Sequence, residues 1–441
     1  MLDINFIAKN ADLVKESAEA KGFVNADVDG LLEIHGTLKA AKSALDDLRA
    51  QRNSNAAEMK GASEDKRREL VAIGADLKAK VQEQTEKEAA LADAFNAAML
   101  TIPNVIAPDT PRGKDDTENV PIRTYLEPTH FDFTPKDHVQ LGKELDILDF
   151  ENGAKVAGAS FYFLKNEAVL LEMALIQFAF RKAIEKGFSP MRTPELARNE
   201  ILMGAGYAPK GTESNTYRLE DRDLSLIATS EIAVGGYYSN EIISEDMLPL
   251  RVVAFSDCFR TETGGGGRAS KGLYRVHQFG KVELFAFTRP EESAETLEEI
   301  LALEESIYQD LQIPYQVLRI CAGDMGAPAY KKYDIEAWMP GKDEGGAYGE
   351  VTSASNCTDF QARRLRIRYK NSETGKNEFV HTLNGTAIAM SRTLIAVLEN
   401  NQQKDGSIRI PDVLQPYMGM TEIRAKEFGR GMSVKRPKLN I

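Results

Sequence analysis

The stretch from Phe259 to Glu262 brings together side chains that could act on a nucleotide. Arg260 is a cation and Glu262 a carboxylate two positions later, so on a β-strand both side chains would lie on one face. A run of four glycines, 264–267, follows, and then the segment from Arg275 to Phe279. A guanidinium holds phosphate oxygens, a carboxylate holds amino or hydroxyl groups, and an aromatic ring stacks on a base. The stretch therefore predicts two strands joined by a loop, with a site for chemistry at a nucleotide α-phosphate.

The same residues also admit plainer interpretations. Arg260 and Glu262 could form a surface ion pair, which contributes little stability. Phe279 could be an ordinary core residue, although Glu283, four positions later, would share its strand face. The glycine run is not a P-loop, because no Gly-Lys-Ser/Thr follows it, and the dinucleotide-binding glycine pattern is absent.

Three further polar groups favour the nucleotide interpretation. Residues 229–231, Thr-Ser-Glu, follow an apolar strand and could hold an ammonium group or cap the next helix. Glu350 and Ser353 offer hard oxygen ligands for Mg²⁺, or form a polar turn. Residues 384–386, Asn-Gly-Thr, run from a strand into a helix that carries Arg392, an arrangement that suits a polyphosphate. The joint presence of these groups indicates a nucleotide-dependent enzyme.

The elements that must position this chemistry begin with a long helical hairpin at residues 31–100. Its first helix carries an apolar seam at Leu31, Ile34, Leu38, Ala41, Leu45 and Leu48, and its second at Leu70, Ile73, Leu77, Val81, Gln84, Glu88, Leu91, Phe95 and Ala98. Spacings of three and four predict an antiparallel coiled coil with a stutter between Leu77 and Val81. Ser63 is the predicted N-cap after the turn.

Two interpretations of the hairpin stay open. It could be a dimerisation stalk or part of a bundle, or an arm of roughly 45 Å that grips a partner. The predicted tip is basic, with Lys60, Lys66, Arg67 and Arg68, and basic residues at a protruding tip suit contact with phosphates.

The remainder predicts an α+β fold. Residues 105–135 are rich in Pro, Asp and Thr and predict a linker or irregular segment. From residue 138 onward, helical stretches alternate with β-branched and aromatic runs without a regular βαβ period, which favours a mainly antiparallel sheet flanked by helices. We expect two domains, an N-terminal helical arm at 1–107 and a catalytic domain at 108–441.

Composition narrows the class of protein. The chain has 441 residues, 42% of them hydrophobic, and a formal net charge of -12, which argues against indiscriminate coating of nucleic acid. Its three cysteines are widely spaced, so we expect neither a zinc site nor a disulfide framework. No apolar run approaches membrane-spanning length, and the first residues resemble no targeting segment, so we expect a cytoplasmic protein.

Taken end to end, the chain resembles the bacterial type of seryl-tRNA synthetase, a family of class II aminoacyl-tRNA synthetases. Residues 187–194 are similar to class II motif 1, whose proline marks a dimer interface, residues 251–287 to motif 2, and residues 384–392 to motif 3. The hairpin, the Ile-Pro-Asn at 102–104 and the Leu-Gln-Pro-Tyr at 414–417 also fit this family.

The resemblance implies a role for each candidate residue. Serine binding would involve Thr229, Ser230, Glu231, Arg260, Glu283, Asn384 and Thr386. ATP binding would involve Arg260, Thr261, Glu262, Arg275, Val276, Phe279, Glu350, Val351, Thr352, Ser353 and Arg392. Contacts to tRNA would come from Lys60, Lys66, Arg67 and Arg68 at the tip and from Arg268 and Lys271 in the motif 2 loop.

Within these sets the resemblance implies three catalytic residues, Arg260, Glu350 and Arg392. Arg260 would bridge the serine carboxylate and the α-phosphate, while Glu350 and Ser353 would hold Mg²⁺ with the ATP phosphates. The implied activity is ATP-dependent attachment of L-serine to tRNA(Ser) through seryl-adenylate, by a homodimer, with tRNA(Sec) as a further plausible substrate.

Two rival functions remain at this point. One is a related ligase that loads a carrier protein, which the long basic-tipped hairpin argues against. The other is a coiled-coil scaffold with an inactive catalytic domain, which the full set of charged site residues argues against.

Overall fold

The computed structural model describes residues 1–207, 215–262 and 271–425. Within those ranges the α-helices are α1 (Ile4–Lys9), α2 (Ala11–Ala20), α3 (Val28–Glu58), α4 (Glu64–Thr101), α5 (His138–Glu144), α6 (Phe150–Ala157), α7 (Glu167–Glu185), α8 (Asn199–Ala205), α9 (Ser230–Tyr237), α10 (Ser293–Asp310), α11 (Phe360–Leu365), α12 (Met390–Asn400) and α13 (Gln415–Met418). The β-strands are β1 (Val120–Tyr125), β2 (Leu148–Asp149), β3 (Phe163–Leu164), β4 (Ser189–Arg192), β5 (Leu196–Arg198), β6 (Leu224–Leu226), β7 (Ile242–Ile243), β8 (Leu250–Phe259), β9 (Gln278–Thr288), β10 (Tyr315–Arg319), β11 (Lys331–Met339), β12 (Ala347–Asn356), β13 (Arg368–Lys370), β14 (Asn377–Phe379), β15 (His381–Ala389), β16 (Ile408–Arg409) and β17 (Glu422–Ile423).

One eight-stranded sheet organises the C-terminal part of the chain. Its strand order is β1-β10-β11-β12-β15-β9-β8-β4, and every neighbouring pair is antiparallel except β4 and β8. Helices α7, α10 and α12 pack against it through a large apolar core. The predicted α+β architecture, with a mainly antiparallel sheet and flanking helices, is confirmed.

The predicted helical hairpin is present as α3 and α4, which we call the arm. The two helices have 31 and 38 residues and pack along their length. Leu38 and Leu45 are buried on one side of the seam, and Leu70 and Leu77 on the other. Ser63 takes the N-cap position of α4, but its side chain makes no capping hydrogen bond.

The predicted stutter in the second helix is wrong. Ile73 is 40% exposed, whereas a Cβ at Gly74 would lie 3.1 Å from Asn55 Nδ2, so Gly74 holds the seam position. Asn55 is buried there and donates to Leu70 O at 3.0 Å. With Gly74 in the seam the spacing from Leu70 to Ala98 becomes an unbroken heptad pattern of fours and threes.

Two other local predictions also need correction. The segment predicted as an irregular linker, 105–135, contains strand β1, an exposed edge strand paired with β10, and Pro121 obscures its β pattern. One of the β-branched and aromatic runs that follow residue 138, from Leu365 to Tyr369, predicts a strand, but Leu365 ends helix α11 and the strand begins at Arg368. In the described ranges no helix is long and apolar enough to cross a membrane.

Candidate active site

A pocket of about 360 Å³ opens over the central strands of the large sheet. Most of the residues predicted for serine and ATP line it. They are Glu231, Arg260, Glu262, Arg275, Val276, Phe279, Glu283, Glu350, Val351, Thr352, Ser353, Asn384, Thr386 and Arg392.

Strand register explains why distant residues meet here. On β9, Phe279 and Glu283 lie on the same face of the strand, as their even spacing predicts. Thr386 on β15 pairs directly with Glu283, and Cys258 on β8 pairs with Phe279, which places Arg260 just beyond the end of β8. The end of β8 therefore brings the cation, β9 the ring and the carboxylate, and β15 the Thr386 hydroxyl to one pocket.

Arg260 lies over the ring of Phe279, with its guanidinium carbon 5.3 Å from the ring centroid. Its Nε donates to Ala228 O at 3.4 Å, and its backbone carbonyl receives His277 Nδ1 at 2.8 Å. The backbone is thus fixed by His277, and the Arg260 side chain lines the pocket. Such a cation is suited to anionic oxygens.

Glu262 precedes the glycine run in sequence and forms an ion pair with Arg275, which follows it. Arg275 Nε donates to Glu262 Oε2, and the Arg275 side chain is 41% exposed. Glu262 adopts a left-handed backbone conformation with φ of 50°, which is uncommon for a residue other than glycine and turns the chain at the strand end. The predicted ion pair of Glu262 is thus with Arg275 rather than with Arg260.

Arg392 and Glu350 form the opposite side of the pocket. Arg392 Nη1 lies 3.0 Å from Glu350 Oε2 and also donates to Glu350 O at 3.1 Å, while Arg392 Nε donates to Tyr274 O at 3.2 Å. Desolvation in the pocket opposes ionisation of Glu350, but the charges of Arg392 and Lys332 outweigh it and hold the pKa at about 2. Glu350 is therefore a carboxylate at neutral pH, and 43% of its side chain is exposed to the pocket.

Glu283 is a buried carboxyl in a different setting. Lys281 Nζ forms an ion pair with Glu283 Oε2, and Thr386 Oγ1 donates to the same oxygen at 3.4 Å. Burial raises the pKa of Glu283 to about 7, and the nearby charges of Lys281 and Arg260 only partly offset this. Its side chain is 3% exposed, so a small polar ligand group reaching it would be held in a dry environment.

Glu231 is held by two donors beside the pocket wall. Gln361 Nε2 donates to Glu231 Oε1 at 2.5 Å, and Tyr207 OH donates to Oε2 at 3.1 Å. Gln361 is itself oriented by Thr382 Oγ1, which donates to Gln361 Oε1 at 2.6 Å. Glu231 is thus fixed in one orientation by a buried network.

Some predicted residues lie outside the lining of this pocket. Thr229 is buried and caps α9 by accepting from Glu231 N at 3.3 Å, which is the capping interpretation of the motif. Ser230 begins α9 and is buried with its Oγ unbonded to any described residue. Thr261 is described but does not line the pocket.

The predicted tRNA-contacting residues that the structure describes lie outside the lining of this pocket. Lys60, Lys66, Arg67 and Arg68 lie at the tip of the arm, where Lys66 pairs with Glu69 at 2.9 Å. Lys271 pairs with Asp137. Arg268 and the glycine run at 264–267 lie outside the described residues.

Several lining residues escaped the sequence reasoning, namely Tyr207, Tyr274, Lys281, Lys332 and the backbone of 326–329. Lys281 had a signal, because it stands two positions before Glu283 and must share its strand face. Tyr274 directly precedes the predicted Arg275, whereas Tyr207, Lys332 and residues 326–329 come from distant segments whose local sequence does not point to the pocket.

Oxygen atoms that line the pocket are suitable ligands for the predicted Mg²⁺. An ionised Glu350 carboxylate and the Ser353 hydroxyl are hard oxygen ligands of the kind Mg²⁺ prefers. In the described part of the chain no group of three or more His, Cys, Asp or Glu side chains could hold a metal ion by itself. Such an ion would take its remaining ligands from bound phosphates and water.

Comparison with known proteins gives consistent matches for both parts of the chain. Residues 1–106 match the family model of the seryl-tRNA synthetase N-terminal domain, and residues 216–401 match the class II tRNA synthetase core domain model for G, H, P, S and T. The serine–tRNA ligase of Treponema denticola is 51% identical over 96% of this chain and all of its own length. That of Dictyoglomus turgidum is 49% identical over 97% of this chain and all of its own length.

Solved structures agree with these matches. The seryl-tRNA synthetase from Pyrococcus horikoshii, solved in complex with ATP, superposes with a TM-score of 0.89 at 41% identity, covering 97% of this chain and 100% of that one. The cytoplasmic enzyme from Naegleria fowleri, solved with AMP, superposes with a TM-score of 0.82 at 31% identity, covering 97% and 99% of the two chains.

Proposed function

The chain belongs to the seryl-tRNA synthetase family, and from that premise we propose that serine and ATP react in the pocket around Arg260. The reaction class is that of a class II serine–tRNA ligase, which attaches serine to tRNA with ATP. The observation that carries the assignment of the site is the convergence of Arg260, Glu231 and Glu283 on one side with the Arg392–Glu350 pair on the other.

Activation begins with two anions that repel one another. The serine carboxylate attacks the α-phosphorus of ATP in line and displaces pyrophosphate, which yields seryl-adenylate. Arg260, seated on Phe279, holds oxygens of both reactants and neutralises charge as it develops. No protein base is needed for this step, because a carboxylate is already a nucleophile.

The phosphate end of ATP lies towards Arg392 and Arg275. Arg392 supplies a guanidinium for the terminal phosphate. Arg275 contacts the same phosphate from the solvent-exposed entrance of the pocket. Glu350 and Ser353 would hold Mg²⁺, which when bound neutralises phosphate charge. Glu262 contacts the adenine and Phe279 stacks on it, within the part of the pocket that Val276 lines.

The serine end of the pocket is acidic. Glu231, fixed by Tyr207 and Gln361, accepts from the serine ammonium group. Glu283 and Thr386 read the serine hydroxyl, with Asn384 beside them on β15. An alanine substrate would leave these buried groups unpaired, which disfavours it.

Transfer to tRNA uses a second surface. The arm reaches away from the catalytic part with a basic tip, and we assign it to the backbone of tRNA(Ser), with Lys271 and Arg268 contacting the acceptor end. The division at residue 107, the homodimer and the charging of tRNA(Sec) belong to the same proposal and rest on the family resemblance.

The site assignment is tested by Arg260→Ala in serine-dependent ATP–pyrophosphate exchange, with a screen of other amino acids. We expect the variant to lose exchange, while wild type exchanges with serine alone. Arg363→Ala is a matched control, because Arg363 also lies over a phenylalanine ring, 4.6 Å from the centroid of Phe379, but outside the pocket. Near-normal exchange in Arg260→Ala would defeat the assignment.

A further inference from the structure

One wall of the pocket is a short segment of backbone, Gly326 to Ala329, between β10 and β11. It lines the pocket beside Tyr207 and Glu231. A Cβ at Gly206 would lie 3.2 Å from Pro328 Cγ, so this wall packs directly against the turn that carries Tyr207. The geometry of the serine end of the pocket therefore depends on the position of this wall.

The carbonyls of this wall are held from outside the catalytic part. Lys21, at the end of α2, donates from Nζ to Gly326 O and Ala327 O at 3.3 Å each and to Ala329 O at 2.6 Å. Its side chain reaches the wall although the residues are more than three hundred positions apart in sequence.

Asn104, which follows the arm, makes the complementary set of contacts. Its Nδ2 donates to Pro328 O at 2.9 Å and its backbone N to Ala327 O at 2.9 Å. The same amide donates to Cys357 O at 3.0 Å, and Cys357 also lines the pocket. All four carbonyls from 326 to 329 therefore accept hydrogen bonds from two residues that flank the arm in sequence.

We propose that Lys21 and Asn104 are positioning residues for serine binding, because they fix the pocket wall at 326–329. This inference rests on the proposed function of the pocket. The wall in turn seats Gly206 and Tyr207, and Tyr207 donates to Glu231, which is assigned to the serine ammonium group. Neither Lys21 nor Asn104 lines the pocket, so both act through the backbone.

The setting of Lys21 supports a dedicated role. Its residue exposure is 5%, and burial lowers its pKa to about 7, with the buried Cys357 thiol as the titratable neighbour. A lysine whose ammonium faces backbone carbonyls in a buried site is costly to retain. Asn104 is fully buried as well.

The test measures ATP–pyrophosphate exchange by the full-length enzyme while serine and ATP are varied separately. We expect Lys21→Met and Asn104→Ala each to raise the KM for serine about tenfold, because unpaired carbonyls let the wall shift. The KM for ATP and the kcat at saturating serine should stay within about twofold. Lys15→Met is the matched control, since Lys15 lies on the same helix but is exposed and pairs with Asp29.

Three results would overturn the inference while leaving the site assignment intact. They are an unchanged KM for serine, an equal rise in both KM values, or a lower melting temperature with normal serine kinetics. If Lys21→Met is insoluble, Lys21→Gln and Asn104→Ala carry the same comparison. Absence of serine-dependent exchange in the wild-type enzyme would instead refute the proposed function itself.

Discussion

At the scale of single residues, Glu283 is the group on which we propose that serine selection depends. It is buried, its pKa is raised to about 7, and it is contacted by Lys281 and Thr386. A substrate hydroxyl restores hydrogen bonds to this cluster, whereas a methyl group does not. On this proposal, selection follows from the cost of leaving buried polar groups unpaired.

Replacing Glu283 should remove that selection. We expect Glu283→Ala to lower the ratio of kcat/KM for serine to that for alanine by about thirtyfold, or about 2 kcal/mol. Pyrophosphate exchange with each amino acid measures the ratio. Glu336→Ala is the control, since Glu336 is bonded to Gln316 and lies outside the pocket. An unchanged ratio in Glu283→Ala would remove Glu283 from serine recognition.

Glu304 gives a prediction about stability and pH. It is fully buried under the sheet and accepts from Thr352 Oγ1 at 2.9 Å, and burial raises its pKa well above 4.5. The folded state therefore keeps a proton that the unfolded state releases, so wild-type stability falls as pH rises from about 4.5 towards the raised pKa.

The glutamine side chain in Glu304→Gln cannot ionise. This variant should therefore not lose stability in this way as the pH rises. Its free energy of unfolding should gain on wild type between pH 5 and 6.5, at a slope of at most about 1.4 kcal/mol per pH unit. Urea unfolding at both pH values measures the difference, with the exposed Glu295→Gln on the same helix as control. Parallel pH profiles for wild type and Glu304→Gln would show that Glu304 is ionised in the folded protein.

Residue spacing predicted which residues of β9 share a face. Alternation along a strand places Phe279 and Glu283 on one face, and the same rule could have found Lys281. It could not have found Tyr207 or the wall at 326–329, because their positions depend on tertiary packing between distant segments. The capping role of Thr229 could be recognised only in the three-dimensional structure, since the same residues could either bind a ligand or begin a helix.

At the scale of elements, the arm shows where the periodic spacing of apolar residues predicts structure correctly and where it does not. The three-and-four spacing predicted both helices and their turn. It failed at Ile73 because hydrophobicity alone selected the bulky side chain, whereas Gly74 allows close approach to the buried Asn55. Strand β1 was missed for a different reason, because Pro121 interrupts the β pattern of an exposed edge strand.

The arm should be separable from amino-acid activation. We expect deletion of residues 31–100 with a short linker to leave serine-dependent pyrophosphate exchange within about threefold of wild type and to lower tRNA charging by a thousandfold or more. Lys21 and Asn104 lie outside the deletion, so the pocket wall keeps its supports. Charging that survives the deletion would show that the arm is not the tRNA grip.

At the scale of the whole molecule, two charge distributions coexist. The net charge is -12, yet basic residues gather at the tip of the arm and cations line the pocket. A net negative charge with local basic groups favours contact with phosphates at those groups rather than over the whole surface. The overall architecture was predictable because long periodic helices and a run of class II motifs are strong signals.

The proposed homodimer is a prediction at this scale. Motif 1, residues 187–194, includes strand β4 at the edge of the large sheet. Light scattering should give a mass of twice 48.8 kDa. Replacing the partly exposed Met191 with Glu in that segment should shift the mass towards one chain, while Met203→Glu on α8 serves as the control. A wild-type mass of one chain would rule out the dimer.

The most direct measurement is a crystal structure of the protein with a non-hydrolysable seryl-adenylate analogue. We predict that the phosphate-mimicking group contacts Arg260, that the serine ammonium contacts Glu231, and that the serine hydroxyl lies within hydrogen-bonding distance of Glu283 or Thr386. An analogue bound elsewhere, with the pocket over β9, β12 and β15 left empty, would contradict the account.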